Sequence, residues 1–236
     1  SKIPIFYRSE SNLKSTSSNI LKNILIRLLI KLSARLLFIG KANKEYYKFF
    51  GAPDNKLFFT PYAVDNRLFQ NESDQMERKT PDLIRKLIIS DETIVILFSG
   101  KLIKRKNPVL LLEAFYNAIR NNKERQAYLI YIGNGVEYES LHEWVEELQI
   151  EDNVKFAGFV NQKEIRQYYS IADLLVLPST VETYGLVINE AMNASTAIIS
   201  SDKVGAASDL VFDGLNGFTF QSDNLEALTD ALKKAL

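Results

Sequence analysis

Cysteine is missing from all 236 residues, so neither a disulfide nor a thiolate metal site is open to this chain. Such a sequence suits a reducing compartment, and the cytoplasm is the expected location. Histidine occurs once, at His142. The neighbouring residues put Leu141, Trp144, Val145 and Leu148 on the apolar stripe of a helix. That leaves His142 beside Glu143 and Glu146 on the wet side, as a surface residue. No cluster of metal-ligating residues, internal repeat or low-complexity tract is visible. A dinucleotide fingerprint is also lacking, because Tyr138 stands where a third glycine would follow Gly133 and Gly135. Long uncharged apolar runs are absent too. The most apolar region, Ile20 to Ile39, is broken by Lys22, Arg27, Lys31 and Arg35 and falls short of the ~20 residues of a membrane span. The chain opens on Ser1 with an extended segment from Ile3 and no leader pattern ahead of it, and so reads as a piece cut from a longer protein.

What is present is an ordinary globular composition, 46% hydrophobic and 25% charged, enough to bury a substantial core. Net charge is formally zero but unevenly spread: residues 1–48 hold ten Lys and Arg against Glu10 and Glu45, an excess of +8 that the remainder offsets. Within this basic part, the four cations between residues 22 and 35 recur at spacings of five, four and four. This predicts a helix over Leu21–Leu37 with charge on one face, opposite Leu21, Leu25, Leu28, Leu29, Leu32 and Leu36. Such a helix packs on a core, lies on a bilayer as a peripheral contact, or is simply solvated.

From residue 94 onward, runs rich in Val, Ile, Leu and Phe alternate with amphipathic stretches, the signature of a parallel sheet wrapped by helices. The predicted strands are Ile94–Gly100, Tyr128–Gly133, Val154–Val160, Asp173–Ser179, Thr196–Asp202 and Gly217–Gln221. Helices are expected at Pro108–Arg120, Glu137–Leu148, Lys163–Ile171, Gly185–Asn193 and Leu225–Ala235. Together they make an α/β, Rossmann-like, doubly wound domain over 91–236. Residues 1–65 show strands at Ile3–Arg8, Leu36–Gly40 and Lys56–Pro61 with the basic helix and a second at Lys44–Phe50: a partial second α/β domain. The polar stretch Asn66–Thr80 begins a connection over 66–90.

In open α/β sheets, ligands sit beyond the carboxyl ends of the strands. After the first strand of the large domain comes Lys101-Leu102-Ile103-Lys104-Arg105-Lys106-Asn107-Pro108. This is either a diphosphate clamp or a solvated charged loop, with Asn107 placed to cap the next helix and Pro108 at its first position. After the fourth strand, Pro178-Ser179 leads to Glu182 and to a helix beginning near Gly185. There, backbone N–H groups favour an anion and glycine lets it approach. Glu182 and Glu190 are two carboxylates able to grip vicinal sugar hydroxyls; taken singly they are a helix-start carboxylate and a surface residue.

The stretch from Pro178 to Asp209 resembles the motif of two glutamates separated by seven residues in the large retaining family of two-domain (GT-B) glycosyltransferases, family 4 or group 1. The likeness rests on Pro178-Ser179, Glu182, Tyr184-Gly185-Leu186, Glu190-Ala191-Met192, Gly205 and Asp213-Gly214-Leu215-Asn216-Gly217-Phe218. Gly100-Lys101-Leu102 with Lys106 is similar to the family's phosphate-binding segment. Ile132-Gly133-Asn134-Gly135 and Phe156-Ala157-Gly158-Phe159-Val160 are similar to its base-side loops, and Pro61-Tyr62-Ala63-Val64-Asp65 to its passage between domains. Two positions differ: Lys101 stands where Arg is usual, and Ser195 and Ala197 where the family usually has Gly and then Pro.

The resemblance implies a nucleotide-sugar donor held by its diphosphate on Lys101 and Lys106 and by its ribose on Glu190. Glu182 would meet the sugar, with the amides of Gly185, Leu186 and Val187 beside it, and Phe159 and Val160 would flank the base. It further implies retaining transfer to a glycan or glycolipid acceptor in cell-surface polysaccharide synthesis. No cofactor, metal or nucleic acid is expected. Residues 1–65 would be the incomplete acceptor-side domain, with contact to the inner face of the membrane through helix 21–37. The fragment by itself is expected to bind donor without turning it over. A phosphorylase or epimerase using the same half-site, and a noncatalytic α/β binding domain, remain the alternatives.

Overall fold

The computed structural model describes residues 3–13, 19–66, 92–120 and 126–236. The expected connection over 66–90 lies outside these except for Asn66.

Six strands, β4 (Ile94–Ser99), β5 (Ala127–Ile132), β6 (Val154–Gly158), β7 (Leu174–Leu177), β8 (Ala197–Ser201) and β9 (Gly217–Phe220), form one sheet in the order β6-β5-β4-β7-β8-β9. Every neighbouring pair is parallel. The covering helices are α3 (Pro108–Ile119), α4 (Tyr138–Glu147), α5 (Ile165–Ile171), α6 (Leu186–Asn193), α7 (Ala207–Leu210) and α8 (Leu225–Ala235). Strand alternation divides the interior in two. Ile96 and Phe98 face Leu111, Phe115, Leu141 and Leu228 on one side. Val95 and Leu97 face Tyr169, Ile171, Ile188 and Ala191 on the other. Both faces are therefore apolar, which is why these strands read as continuous hydrophobic runs. In this large domain the strand and helix limits fall within two residues of the sequence expectation, whereas in the small sheet the first strand and the second helix each begin three residues from where they were expected; among the described residues the short α7 was not foreseen.

A second sheet, β1 (Phe6–Arg8), β2 (Arg35–Phe38) and β3 (Leu57–Phe59) in that order, is also parallel. It carries α1 (Ile20–Leu32) and α2 (Lys41–Phe49) over a core of Ile26, Ile30, Leu36, Tyr46, Tyr47 and Phe50. The helix expected over Leu21–Leu37 thus ends five residues early. Ser33 closes the last turn, its N–H (3.0 Å) and hydroxyl (2.7 Å) both donating to Leu29 O, and its extended backbone (φ −74°, ψ 137°) ends the helix, after which Arg35 and Leu36 are drawn into β2, Leu36 between partners on both sides.

The expected facing of α1 is also corrected. Its inward residues are Ile26 and Ile30, whereas Leu21, Leu25, Leu28 and Leu32 point outward, 79%, 56%, 49% and 62% exposed. At about 100° per residue the cations do not oppose this ridge but flank it, Arg27 and Lys31 on one side and Lys22 on the other.

The two sheets meet at named contacts. The Asp209 carboxylate accepts the Lys41 N–H at the start of α2, at 3.0 and 3.2 Å from its two oxygens. Tyr62 packs on Tyr184 with ring centroids 4.8 Å apart, and the Arg8 guanidinium lies 5.0 Å from the Tyr62 ring.

At the end of α6, Thr196 N–H donates to Ala191 O and Ser195 N–H to Met192 O, both at 3.1 Å. This double closure requires a left-handed residue, and Ser195 supplies it with φ 61° where glycine pays no steric penalty. Ser195→Gly should therefore raise the unfolding free energy by roughly 0.5–1 kcal/mol. A higher urea midpoint at unchanged slope would register it, and an unmoved or lower midpoint would show that the serine is unstrained.

Candidate functional site

Between β4 and β7 the strand order reverses, so the loops leaving their carboxyl ends diverge and open a crevice. From β4 the chain passes Gly100 and Lys101 into a 3-10 turn at Lys104–Lys106, then Asn107, then α3 with Pro108 first. The expected Asn107 cap does not form. Asn107 is itself left-handed (φ 54°), and its side-chain amide donates to Asp223 Oδ1 at 3.2 Å.

From β7 the chain passes Ser179 to Thr180, whose N–H donates to Arg105 O at 2.9 Å and ties the two loops together. Beyond it, Glu182 O accepts the Gly205 N–H at 3.2 Å, and Asn12 of the small sheet's side donates to the carbonyls of Glu182 and Thr183, each at 3.4 Å. Gly185 then turns the chain with φ 98°, and α6 begins. A side chain there would lie 2.9 Å from Val204 Cγ1, so both backbone angle and space call for glycine.

Across the crevice, Lys106 Nζ forms an ion pair with Glu182 Oε2, both side chains largely buried at 16% and 14% exposure. The two loops that the sequence singled out separately thus meet in one charge-compensated contact. Leu186 and Val187 occupy the first turn of α6, where helix amides have no partner inside the helix. Glu190 lies on the same helix, its Oε2 accepting from the buried Tyr169 hydroxyl at 2.8 Å. Lys101 is exposed at the mouth. Phe159, 79% exposed, and the partly buried Val160 follow β6 on the same sheet edge, separated from β4 by β5. They are brought to the same side of the sheet but not into contact with the ion pair. Hydrogen bonds from Gly133 N–H to Gly158 O (2.8 Å) and from Leu102 N–H to Asn134 O (3.0 Å) lace these edge loops together.

His142 is not the wet-side residue expected. It is partly buried, its ring stacked 4.1 Å from Phe156 and tilted against Tyr138 at 4.6 Å, because β6 closes over that flank of α4; Trp144, assigned to the stripe, is the more open residue. Among the described residues, no group of three or more His, Asp or Glu is placed to hold a metal ion. Sequence inspection missed Tyr169, Ser99 and Asn12. Tyr169 falls in an ordinary aromatic pair, and nothing local marks its hydroxyl as the partner of a carboxylate 21 residues away.

A family model described as glycosyl transferases group 1 matches residues 79–236. The chain is 29% identical over 196 residues to a D-inositol 3-phosphate glycosyltransferase of Corynebacterium aurimucosum, covering 81% of this chain and 45% of that protein. It is 25% identical over 197 residues to the poly(glycerol-phosphate) alpha-glucosyltransferase of Bacillus subtilis, covering 84% of this chain and 27% of that one. In three dimensions it resembles Anabaena HepE in complex with UDP and glucose, with TM-score 0.76, 21% identity, 98% of this chain and 61% of HepE covered. That likeness is one of fold, the GT-B arrangement of parallel sheets. The chain thus spans less than two thirds of each of these proteins. With the family model matched over more than half its length, the chain belongs to the glycosyl transferases group 1 family.

Proposed function

We propose that this chain carries the nucleotide-sugar-binding half of a retaining glycosyltransferase that delivers a sugar to a glycan or glycolipid acceptor in cell-surface polysaccharide synthesis. The observation that carries the proposal is the meeting of Lys106 and Glu182 beside the start of α6, at the reversal of strand order. Glu182 neutralises Lys106 in this contact. A donor diphosphate takes over that role with Lys101 and the amides of Gly185, Leu186 and Val187, and Glu182 turns to the sugar hydroxyls it then adjoins. Glu190 accepts the ribose hydroxyls, and Phe159 and Val160 flank the base. Positioning, together with charge stabilisation of the departing diphosphate by the lysines and helix start, supplies the catalysis, and no metal is called for.

In this proposal, residues 91–236 are the donor domain, 66–90 the connection, and 1–65 part of the acceptor-side domain. Similarity to enzymes named for inositol phosphate and poly(glycerol-phosphate) supports a phosphate-bearing acceptor. HepE, of like fold, is described with UDP and glucose, which makes a uridine donor the first to test. No helix among the described residues is long and apolar enough to cross a membrane. The leucine ridge of α1, flanked by Lys22, Arg27 and Lys31, has instead the arrangement of a helix lying in a bilayer surface, and we place it on the inner membrane face.

A thermal-shift panel of UDP-, GDP- and ADP-sugars with free phosphate separates transfer from two of its rivals: a phosphorylase is stabilised by phosphate and a noncatalytic domain by none of them. On the nucleotide that binds, Lys106→Ala should cost the diphosphate about 1.5–3 kcal/mol and leave the free nucleoside unchanged, since only the former brings charge to Lys106. Equal losses for both ligands in calorimetry would remove Lys106 from the phosphate site. For the membrane contact, Leu25→Ser with Leu28→Ser should lower sedimentation with vesicles containing anionic phosphatidylglycerol while leaving thermal stability unchanged. Undiminished sedimentation would sink that assignment.

A further inference from the structure

Glu190 does not stand free on α6. Tyr169 reaches it from α5, wholly buried beneath the site, and donates its hydroxyl to Oε2 at 2.8 Å. The phenol is held in turn by the side chain of Ser99, the last residue of β4, itself 4% exposed. A short chain of hydrogen bonds therefore runs from the end of the central strand through Tyr169 to the carboxylate. Its middle member is fixed at the backbone as well, where Thr196 Oγ1 lies 3.2 Å from both Tyr169 O and Ala172 O. Burial, with the nearby Glu190 charge, pushes the Tyr169 hydroxyl well above the ordinary tyrosine range, so it stays a protonated donor. No step assigned to the donor site above uses this group.

We propose that Tyr169 is a positioning residue for ribose recognition: with Ser99 behind it, it sets the orientation of the Glu190 carboxylate, so that selection of a ribose over a dideoxyribose depends on a hydroxyl that never touches the ligand. This rests on the assignment of Glu190 to the ribose under the proposed function. A glutamate on a helix samples several rotamers, and a ligand that engages it must first order them. Tyr169 has already ordered this one. One oxygen is taken by the phenol in a charge-assisted bond, which fixes the plane of the carboxylate, and the other stays open to the vicinal hydroxyls. The bonds also reinforce one another, so Ser99 contributes at one remove.

The test compares a nucleoside diphosphate with its 2′,3′-dideoxy form on this chain. The nucleotide is UDP, GDP or ADP, whichever raises the melting temperature of the parent most. Tyr169→Phe keeps the ring and removes only the hydroxyl. It should weaken the ribonucleotide about tenfold, the scale of one hydrogen bond to a charged group, and leave the dideoxy form unchanged. Ser99→Ala should act in the same direction by roughly a few-fold, and decides the matter if Tyr169→Phe does not fold. In a Glu190→Gln background Tyr169→Phe should add nothing. A purely structural role would weaken both ligands alike. That result, or no change in either while Glu190→Gln still discriminates between them, overturns the inference and leaves the site assignment intact. Failure of Glu190→Gln to discriminate, or of the parent to bind any of the three, overturns the assignment and the inference together.

Discussion

The pairing of Ile96 and Leu97 of β4 with Leu174 and Leu175 of β7 places everything chemical on this chain. A parallel strand must be re-entered from its far end, so each connection crosses one face of the sheet. Crossovers that leave β4 for β5 and β7 for β8 travel in opposite directions along it. The two loops therefore part above the middle of the sheet. What fills the gap depends on charge: of the four cations in the first loop, Lys106 meets Glu182 of the second, beside the start of α6. Lys106 and Glu182 compensate each other there, which makes a largely buried lysine tolerable.

Two-sided burial gives the crevice a rigid floor, and a few polar handles in that floor point upward. Tyr131 donates to Pro108 O at 2.8 Å and anchors the start of α3; Tyr169 does the corresponding service for α6 through Glu190. A buried hydroxyl with no partner is costly, so each such tyrosine stays where its acceptor is and carries that acceptor's position with it.

The small sheet is fastened to this site rather than tethered at random. Asn12 holds the carbonyls of Glu182 and Thr183, and Asp209, on the short α7 that follows β8, accepts from the first turn of α2. Any shift of the small sheet is thus felt by the backbone that carries the pairing glutamate. Its outer surface is of another kind: exposed leucines flanked by cations have no partner among the described residues.

The six strands, the helices between them and the two loops worth attention could all be read along the chain, because each leaves a local mark; the order of the strands in the sheet could not, since pairing joins residues far apart in sequence. Apolar runs of four to six residues signal strands buried on both sides, and Gly185 or Pro108 signals the start of a helix. Other features are not local. Whether α1 showed its leucines or its cations to solvent depended on which residues the small sheet offered it, and Ile26 and Ile30 fitted where Leu25 and Leu28 did not. His142 looked solvated until β6 arrived beside α4. By itself the sequence determined the fold class and the candidate residues Lys106, Glu182, Gly185 and Glu190, since backbone geometry and charge act over a few residues. Tertiary structure alone decided that Lys106 pairs with Glu182 and that Tyr169 braces Glu190, because those partners lie 76 and 21 residues apart and only the packing of β4, β7, α5 and α6 brings their side chains within reach.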